Sequence, residues 1–493
     1  MQTGMRTPLC APSRRICLPN MARKSCSAPW PNASPTAMTT IFPRRSPPRW
    51  PPMRFDEPVL LYGAGREALS SRAFLKARQP GLKVYVTVDS GTADIPDTEL
   101  IAATDLPAAI AARRFGLIIK SPGVSRYKPI FETARNAAIP VTSNLNLWGA
   151  SFRHDRTVIA ITGTKGKSTT ATLTHLMLTR SGIDAGLAGN VGLAPLEIAD
   201  KHAVVVFELS SYQTADMNFL PDVAALTNLY PEHVDWHGSV ERYYADKLHL
   251  IDRDGGFAVA LGTAAKGNAL VARAVRDHRR LLPDLTAEVS IAVENAVARS
   301  RLRGAHNLDN ALLAAQITLG VGGSLDGIMQ GIAAFRPLPH RLEEHRIGDH
   351  VVVNDSISTT PEATKAALAA YPGHRIALIA GGHEREQDYT ELAGLLASRG
   401  VTTLVTLPVT GSRLAQATRA VSSDILVIES PDLDHAISTL SAQRTRFDTL
   451  ILSPGAPSYN QFKNFEERGA HFVQLCRARL VHADSRGDWR PRQ

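Results

Sequence analysis

The chain has 493 residues, 44% of them hydrophobic and 20% charged, which is the composition of a globular protein with room for two to four domains. Its formal net charge is +9, but residues 1–52 contribute eight basic residues and no acidic one, so 47 basic residues face 46 acidic ones in the remainder. This balance argues against a nucleic-acid-binding body, and no apolar run approaches the roughly 18 residues that a membrane span needs.

The first 52 residues differ in composition from everything that follows. They contain eleven of the 31 prolines and three of the four cysteines, Cys10, Cys17 and Cys26, and they show no apolar periodicity. We therefore expect a disordered basic extension outside the fold, with Met53 as the natural start of the body. Only Cys476 remains in the body, so we predict neither a disulfide framework nor a cysteine metal site, which suits a reducing cytoplasm.

From Pro58 the sequence alternates between apolar runs and helical stretches. "VLLYGAGREALSSRAFLKAR" predicts a strand, a glycine turn and a helix, "LKVYVTVDS" a strand ending at Asp89, and "FGLIIKSPGVS" and "IPVTSNLNLW" repeat the pattern. Such alternation is typical of a parallel, doubly wound sheet. Gly63, Gly65 and Asp89 partly match a dinucleotide-binding fingerprint, although a tight strand-to-helix turn explains the glycines equally well. A nucleotide diphosphate can bind at such a helix N-terminus without any redox role.

The second segment opens with the loop "GTKGKST", residues 163–169, which follows an apolar run and precedes a helical pattern. The first glycine of the strict phosphate-loop motif is missing. Gly163 and Gly166 still allow backbone N–H groups to converge on phosphate oxygens. Lys167 can reach the outer phosphates, and Ser168 can ligate Mg²⁺. We predict a phosphate-binding loop; the alternative is a strand-to-helix turn with an incidental lysine.

Two later apolar runs end in polar residues. Glu208 closes "AVVVFE", an expensive position for a carboxylate unless a cation binds it, so we favour a metal ligand over a helix-capping region with Ser210 or Ser211. His233, in "PEHVDWH", follows the next run and can bind metal or substrate, although a lone histidine is more often structural. Lys247, in "YYADKLHL", looks like an ordinary helical lysine.

The third segment contains five β-rich runs separated by helical stretches. They are "HVVVNDS", "RIALIAGG", "TTLVTL", "DILVIES" and "DTLILSPG". They predict a further α/β sheet whose function lies at the carboxyl ends of its strands. The polar tail after about Val481 is expected to be frayed.

These motifs, taken together and in order, resemble those of one family. "SPGV", "ITGTKGKSTT", "GNVG", "ELSSYQ", "EHVDWH", "AHNLDN", "LPHRLE", "NDS" and "LSPGAPSYNQFKNFEERG" are dispersed over more than 400 residues. In this respect the body is similar to the ATP-dependent Mur ligases of peptidoglycan synthesis. Within them it most resembles the MurD type, which joins glutamate to UDP-N-acetylmuramoyl-L-alanine, and the short phosphate loop is that family's own variant.

The resemblance implies an α/β protein of three domains. A Rossmann-like UDP-substrate-binding domain would span residues 53–153, and a central P-loop ATPase domain residues 154–337. A C-terminal Rossmann-like domain that binds the amino acid would span residues 338–493. The substrate carboxylate would attack the γ-phosphate of ATP, and the amine of the amino acid would then displace phosphate from the acyl phosphate.

The resemblance also implies the residues of each site. ATP would be bound by Gly163, Thr164, Lys165, Gly166, Lys167, Ser168, Thr169, His306, Asn307, Asn310, Arg341 and Asp355. The UDP-muramoyl substrate would be bound by Asp89, Ser121, Gly123 and Asn190, and the glutamate by Thr359, Arg385, Ser458 and Phe465. Two Mg²⁺ ions would be held by Ser168, Glu208, His233 and a carbamylated Lys247. The implied catalytic residues are Lys167, His233, Lys247 and Arg341.

Two departures from the MurD pattern bear on the amino acid. Ile357 stands where the family motif carries a lysine, and "GGHEREQDY" replaces a "GGDGK" loop, which puts Arg385 at the lysine that meets the glutamate side chain. A carboxylate pocket with re-aimed cations fits the variant that adds L-glutamate and works with a MurL epimerase. We therefore predict L-glutamate, with D-glutamate as the alternative, and we expect a cytoplasmic monomer without nucleic-acid or membrane partners.

Two other functional classes are compatible with parts of the sequence. One is an amino-acid ligase with another acceptor, such as a folylpolyglutamate or cyanophycin-type enzyme. The other is a non-enzymatic, nucleotide-gated binding module whose basic arm contacts anionic partners. "ELSSYQ" and the "SPGAPSYNQFKNFEERG" block favour the muramoyl branch, and the joint presence of Lys167, Glu208, His233 and Lys247 argues against an inactive site.

Overall fold

Three β-sheets follow one another along the chain, each covered by helices. We call each sheet with its helices a unit, numbered first to third in chain order. The computed structural model describes residues 57–89, 93–275, 281–336, 339–384, 386–443 and 446–480. The predicted N-terminal extension, the end of the tail and Arg385 therefore lie outside the described residues. The predicted α/β class is confirmed by the strand pairings, whereas the domain boundaries at residues 153 and 337 stay predictions. None of the described helices is long and apolar enough to cross a membrane.

The first sheet has five parallel strands in the order β3-β2-β1-β4-β5. From β1 the chain adds β2 and β3 on one side of the sheet, and it then adds β4 and β5 on the other side of β1. The connections therefore change side between β1 and β4, and a crevice opens at the carboxyl ends of these two strands. The elements are β1 Val59–Tyr62, α1 Arg66–Arg78, β2 Val84–Thr87, β3 Glu99–Leu100, α2 Leu106–Ala111, β4 Leu117–Lys120, α3 Ile130–Asn136, β5 Val141–Thr142 and α4 Asn144–Phe152.

The second sheet is also parallel, in the order β10-β9-β6-β8-β7, so that β6 lies at its centre. Its strands and first helices are β6 Thr157–Thr162, α5 Lys167–Arg180, β7 Ala185–Gly189, α6 Pro195–Ile198, β8 Val204–Glu208, α7 Ser211–Asp216, β9 Val223–Leu226, α8 Val234–His237, α9 Val240–Leu248 and β10 Ala258–Leu261. The helices that follow are α10 Thr263–Lys266, α11 Ala269–Val275, α12 Ala287–Ala298, α13 Ala305–Gly320 and α14 Leu325–Ala334.

The third sheet has six strands in the order β11-β12-β16-β13-β14-β15, with an antiparallel β11–β12 hairpin at one edge and parallel pairs elsewhere. The elements are β11 Glu343–Ile347, β12 His350–Asn354, α15 Pro361–Ala369, β13 Ile376–Gly381, α16 Thr390–Leu395, β14 Val401–Leu407, α17 Gly411–Val421, β15 Leu426–Glu429, α18 Leu433–Ala442, β16 Thr449–Leu452 and α19 Phe465–Leu480. Separate apolar cores pack on the two faces of this sheet.

One continuous core joins the first two sheets. Trp148 of α4 is fully buried and packs edge-on against Phe207 of β8, with 4.7 Å between ring centroids. Nearby, the Nε2 of Gln213 on α7 donates to the Oε1 of Glu67 on α1 at 2.7 Å. The other oxygen, Oε2, is buried without a hydrogen-bond partner among the described residues. Burial accordingly raises the pKa of Glu67 to about 7.

Replacing Glu67 by glutamine is expected to stabilise the protein at pH 8 by on the order of 2 kcal/mol. The folded carboxyl has a pKa of about 7 against 4.5 when unperturbed. Because the folded state holds this proton more tightly, its contribution to stability is complete below pH 4.5 and is lost as the pH rises through 7. Urea unfolding at pH 5 and pH 8 should show a smaller pH difference in the variant than in Glu132→Gln, an exposed control; an unchanged difference contradicts the assignment.

Candidate active site

The loop after the central strand β6 has the geometry that phosphate binding requires. Gly163 has φ +146° and Gly166 has φ +82°, and α5 begins at the next residue, Lys167. A Cβ at Gly163 would overlap the Oγ1 of Thr227, and one at Gly166 would overlap the Oδ1 of Asn310. Both positions therefore need glycine for steric as well as conformational reasons. The backbone N–H groups at the start of a 14-residue helix remain available to an anion.

Lys167 folds back over this loop. Its Nζ donates to the carbonyl oxygen of Thr164 at 2.9 Å. Burial lowers the pKa of Lys167, an effect that the carboxylates of Glu208 and Glu232 partly oppose. Next to it, Lys165 forms an ion pair with Glu232 at 2.6 Å. The amine at Lys167 is therefore poorly solvated and forms no ion pair with a carboxylate in the described part of the chain, so an anionic phosphate group would relieve an existing cost.

Among the predicted metal ligands, Glu208 gives the clearest physical indication of a cation site. It is 0% exposed at the end of β8, where it lies beside Ile161 of β6 and Gly189 of β7. Its Oε1 accepts a hydrogen bond from the Nδ2 of Asn190 at 3.2 Å. Its Oε2 is buried without a hydrogen-bond partner in the described part of the chain. An unsatisfied buried carboxylate oxygen is costly, and a Mg²⁺ ion would satisfy it.

We call the space between Glu208 and the loop at Lys167 the cleft; His233 lies near Lys167, immediately before α8. Its backbone is left-handed, with φ +55°, and its side chain is 46% exposed. The Nε2 lies 3.6 Å from the Oε2 of Glu232, and the ring packs near that of Tyr212. Partial burial lowers the pKa of His233 and keeps the imidazole neutral, the form that ligates metal.

Lys247 was an ordinary helical lysine in sequence, but its position is unusual. It is 2% exposed, and its Nζ donates to the carbonyl oxygen of Gly163 at 2.8 Å. Burial, reinforced by the nearby charge of Lys167, lowers the pKa of Lys247 well below its usual value. Burial thus disfavours the ammonium form of this amine beside the loop at Gly163 and favours the neutral, nucleophilic form.

The predicted metal ligands do not form a ready cluster of conventional ligands in the part of the chain that the structure describes. Among the described residues, no group of three or more His, Cys, Asp or Glu side chains is arranged to hold an ion. The predicted set combines Glu208 and His233 with the hydroxyl of Ser168 on the first turn of α5 and with Lys247. Of these, Glu208 supplies the direct physical indication, through its unsatisfied oxygen. The metal assignment of Ser168, His233 and Lys247 stays a prediction.

A buried polar chain beside Lys247 was missed by the sequence reading. The Nδ1 of His237 lies 2.6 Å from the Oδ2 of Asp246, and its Nε2 lies 2.9 Å from the Oγ of Ser211. The Oδ1 of Asp246 accepts from the hydroxyl of Tyr127 in the first unit at 2.7 Å. The chain thus links α7, α8 and α9 to the loop after β4. The second histidine of "EHVDWH" was the available signal, but its partners are distant in sequence.

The predicted adenine-side residues lie on the first turns of α13. The Oδ1 of Asn310 accepts from the Oγ1 of Thr170 at 3.3 Å, which ties α13 to the helix of the phosphate loop. The Nδ2 of Asn310 donates to the Oδ1 of Asn307 at 3.2 Å. Burial, and to a smaller extent the charge of Arg341, lowers the pKa of His306. Asn310 lies beside Gly166 of the loop, and the contact of all three residues with adenine stays a prediction.

Arg341 brings a cation from the third unit toward the phosphate loop. Its charge acts on both Lys167 and His306, and it lies just before β11. Its Nε is buried without a hydrogen-bond partner among the described residues. A guanidinium so placed is suited to bind a phosphate oxygen, which would satisfy the unpaired nitrogen.

Asp355, in contrast, accepts hydrogen bonds from residues of the third unit. Its Oδ1 accepts from the backbone N–H of Leu342 at 3.2 Å, and its Oδ2 accepts from the hydroxyls of Ser358 and Ser453 at 2.6 and 2.8 Å. Burial raises the pKa of Asp355 to about 6. These bonds fix the segment that carries Arg341, and the predicted contact of Asp355 with ATP stays a prediction.

Three of the predicted glutamate contacts lie around the carboxyl edge of the third sheet. Thr359 follows β12, Ser458 follows β16 and is 3% exposed, and Phe465 begins α19. The fourth, Arg385, lies outside the described residues.

A second arginine was missed: Arg468 is 1% exposed and donates to the carbonyl oxygens of Ser356 and Ala456 at 2.9 and 3.1 Å. Burial lowers its pKa to about 10.

The predicted UDP-binding residues border the crevice of the first sheet. Ser121 follows β4 and contacts Gly63, which follows β1, so the two loops meet at the point where the strand order reverses. Gly123 is exposed in the same loop. Asp89 follows β2, accepts from the hydroxyl of Tyr62 at 2.6 Å and pairs with Lys128. Asn190 approaches from the second unit.

Comparison with known proteins identifies two parts of the chain. Residues 161–282 match the Mur ligase middle domain, and residues 340–456 match the Mur ligase glutamate ligase domain. The UDP-N-acetylmuramoyl-L-alanine–L-glutamate ligase of Xanthomonas axonopodis pv. citri is 36% identical over 446 residues, which cover 85% of this chain and 94% of that protein. The enzyme of the same name from Xylella fastidiosa Temecula1 is 34% identical, with the same coverage.

Solved structures agree on the fold. UDP-N-acetylmuramate–alanine ligase MurC from Thermotoga maritima has a TM-score of 0.53 at 16% identity and covers 86% of this chain and 99% of its own. MurF ligase from the same organism, in complex with ADP, has a TM-score of 0.52 at 14% identity and covers 87% of this chain and 97% of its own. At these sequence identities the structural similarity supports the fold alone, that is, the three-sheet architecture.

Proposed function

Because this chain belongs to the Mur ligase family of ATP-dependent ligases, we propose that it adds L-glutamate to UDP-N-acetylmuramoyl-L-alanine during peptidoglycan precursor synthesis. The observation that carries the reaction type is the buried, unsatisfied Oε2 of Glu208 beside the phosphate loop and its poorly solvated Lys167. Together they favour a cation and an anion bound side by side, and Mg-ATP would supply both.

The choice of amino acid rests on relatives and on sequence. The compared relatives with 32–36% identity are named L-glutamate ligases. Ile357 replaces a cation of the MurD pattern, and Arg385 offers a guanidinium fork in place of an ammonium. A separate epimerase would then invert the added residue. We propose that the enzyme acts in the cytoplasm as a monomer; D-glutamate is the alternative substrate.

The proposed mechanism depends mainly on positioning and charge. The acceptor carboxylate attacks the γ-phosphate of ATP in line with the departing ADP oxygen, and Lys167 and Arg341 offset the negative charge that develops on the phosphoryl oxygens. Glu208, Ser168, His233 and Lys247 would hold Mg²⁺, which neutralises phosphate charge when bound. The glutamate amine then attacks the acyl carbon, and the tetrahedral intermediate collapses with loss of phosphate and a proton. A closed cleft would protect the acyl phosphate from water.

The enantiomer is tested with purified full-length protein, Mg-ATP, UDP-N-acetylmuramoyl-L-alanine and each glutamate enantiomer in turn. We expect phosphate release and a product mass increased by one glutamyl residue with the L-isomer, at a rate at least about tenfold above the D-isomer, which corresponds to about 1.4 kcal/mol of discrimination. Faster reaction with D-glutamate contradicts the proposed specificity while leaving the ligase class intact. No turnover with the UDP acceptor, but turnover with a folate, contradicts the muramoyl assignment.

Carbamylation of Lys247 gives a separate prediction. Carbamylation requires the neutral amine, which burial favours by lowering the pKa of Lys247; that amine would attack CO₂, forming an N–C bond and releasing a proton to give a carbamate. We expect activity to fall several-fold after CO₂ is removed from the buffer and to return when bicarbonate is added. The Lys247→Ala variant should be inactive and show no bicarbonate response. Undiminished wild-type activity after rigorous CO₂ removal contradicts this prediction.

A further inference from the structure

The loop after β4 is bound to the second unit by side chains on both sides of the contact. We call residues 121–128 the acceptor loop, because two of the residues predicted to bind the UDP-muramoyl acceptor lie in it. The Oγ of Ser125 donates to the carbonyl oxygen of Trp236 at 2.7 Å, and the Nε1 of Trp236 donates to the carbonyl oxygen of Pro122 at 3.1 Å. The acceptor loop is therefore fixed against α8, on which Trp236 lies.

Tyr127 forms another bond between the acceptor loop and the second unit. Its hydroxyl donates to the Oδ1 of Asp246 on α9 at 2.7 Å. Its ring packs edge-on against Trp236, with 6.0 Å between ring centroids, and the guanidinium carbon of Arg242 lies 4.5 Å from the ring centroid of Tyr127. Because these ring contacts do not need the hydroxyl, removing that one oxygen atom would break the bond to Asp246 and keep the packing.

Asp246 is fixed from its other side by His237. The Nδ1 of His237 lies 2.6 Å from the Oδ2 of Asp246, and it is the donor of this bond because a carboxylate oxygen accepts. The Nε2 of His237 lies 2.9 Å from the Oγ of Ser211, which holds the ring on its second side. His237 is 0% exposed and Ser211 is 2% exposed. Each oxygen of Asp246 therefore has a defined donor in a buried environment.

Helix α9, which carries Asp246, also contacts the phosphate loop. The Nζ of Lys247 donates to the carbonyl oxygen of Gly163 at 2.8 Å, and the hydroxyl of Tyr243 lies 2.8 Å from the Oγ1 of Thr164. Tyr243 and Lys247 are four residues apart, so they lie on one face of the helix, and Asp246 is next to that face. One helix thus joins the acceptor loop to the phosphate loop through neighbouring residues.

We propose that Tyr127, Asp246 and His237 are positioning residues of the ligase, which hold the acceptor loop in a fixed place relative to the phosphate loop. The inference rests on the proposed function, because it needs an acceptor bound at one loop and ATP at the other. In-line attack of a carboxylate on phosphorus becomes slower when one reactant is displaced, and so does attack of an amine on the acyl phosphate. A displaced acyl phosphate would also be hydrolysed more often before the amine attacks it.

The test compares the wild type with Tyr127→Phe as full-length proteins, with Mg-ATP, UDP-N-acetylmuramoyl-L-alanine and the glutamate enantiomer that the wild type uses. Phosphate and amide product are measured in the same sample. We expect kcat for product to fall about tenfold, the loss of one hydrogen bond to a charged group, while the KM values for Mg-ATP and the acceptor change less than about twofold. The ratio of phosphate to product should rise from about one to at least about two.

The ratio separates positioning from a loss of folded protein. A smaller folded fraction lowers phosphate and product equally and leaves their ratio unchanged. Tyr85→Phe is the matched control, because the hydroxyl of Tyr85 on β2 accepts from Arg114 at 2.9 Å, outside the acceptor loop. Its kcat and its ratio should stay within about twofold of the wild type.

A second variant tests the chain from its other end. His237→Gln removes the imidazole that fixes Asp246, so it should also raise the ratio of phosphate to product. Because Tyr127 and His237 both act through Asp246, the double variant should lower kcat no further than the more damaging single change. Full additivity of the two losses would contradict a common chain. The Tyr127→Phe result does not depend on whether His237→Gln folds.

Four results with Tyr127→Phe would overturn the inference while leaving the proposed function intact. They are wild-type kcat and ratio, a lower kcat at an unchanged ratio, a raised KM for the acceptor at unchanged kcat, and losses equal to those of Tyr85→Phe. In each case the wild type still forms the amide product. Absence of product from the wild type with either glutamate enantiomer would overturn the proposed function and this inference together.

Discussion

Replacing Lys167 by alanine is expected to lower the rate of ADP formation at least about 10³-fold, a loss of roughly 4 kcal/mol of transition-state stabilisation. The amine lies over the loop between Gly163 and Gly166, where the transferring phosphoryl group would be bound. Its removal leaves developing negative charge without the nearest cation. Phosphate release, measured with Mg-ATP, acceptor and L-glutamate present, checks the rate.

The same variant separates a catalytic loss from an unfolding effect. Burial disfavours the ammonium form of Lys167 in the folded protein, so alanine should not reduce the nucleotide-free melting temperature. It should, however, largely remove the stabilisation that Mg-ATP gives to the wild-type protein. Lys201→Ala, at an exposed lysine that donates to the carbonyl oxygen of Glu197, serves as the matched control and should retain both activity and stabilisation. An active Lys167→Ala variant contradicts the assignment.

The second large effect is expected at Glu208. Glutamine can keep the oxygen that accepts from Asn190 and replaces the unsatisfied Oε2 by an uncharged NH₂ group, which does not ligate Mg²⁺, so the Glu208→Gln variant tests that oxygen directly. We expect a loss of about 10²–10³-fold in turnover, because a metal-bound phosphoryl group loses several kcal/mol of charge stabilisation. The Mg²⁺ concentration for half-maximal activity should rise by at least about tenfold, since one anionic ligand is gone.

A control on helix α12 isolates this effect. Glu294 is exposed, so Glu294→Gln changes the net charge by the same amount without altering the cleft. Its turnover and Mg²⁺ dependence should match those of the wild type. If Glu208→Gln behaves like this control, the buried carboxylate does not ligate the metal.

The sequence was most informative where chemistry-bearing residues directly follow apolar strands. The phosphate loop follows β6, and Glu208 ends β8, so their meeting at one edge follows from the parallel order of the strands. Gly163 and Gly166 were singled out because glycines let backbone N–H groups converge, and both have positive φ in the structure; their contact with phosphate stays a prediction. The three-sheet α/β architecture was predicted from alternation and is confirmed by strand order.

What the sequence did not reveal depends on contacts between distant segments. Lys247 lies on an ordinary amphipathic helix, and its burial results from packing against the loop at Gly163, 84 positions earlier. His237 and Asp246 likewise gain significance only through Ser211 and Tyr127. The apolar periodicity of a sequence does not indicate contacts between residues that are so far apart along the chain.

The central claim is that an acyl phosphate forms in the cleft at Glu208 and Lys167 before glutamate is joined. The most direct test supplies UDP-N-acetylmuramoyl-L-alanine labelled with ¹⁸O in its carboxylate, together with Mg-ATP and L-glutamate, and measures the mass of the released phosphate. If the carboxylate attacks the γ-phosphorus and the amine later displaces phosphate from carbon, each phosphate released will carry one ¹⁸O atom. Unlabelled phosphate formed together with the amide product would contradict the account.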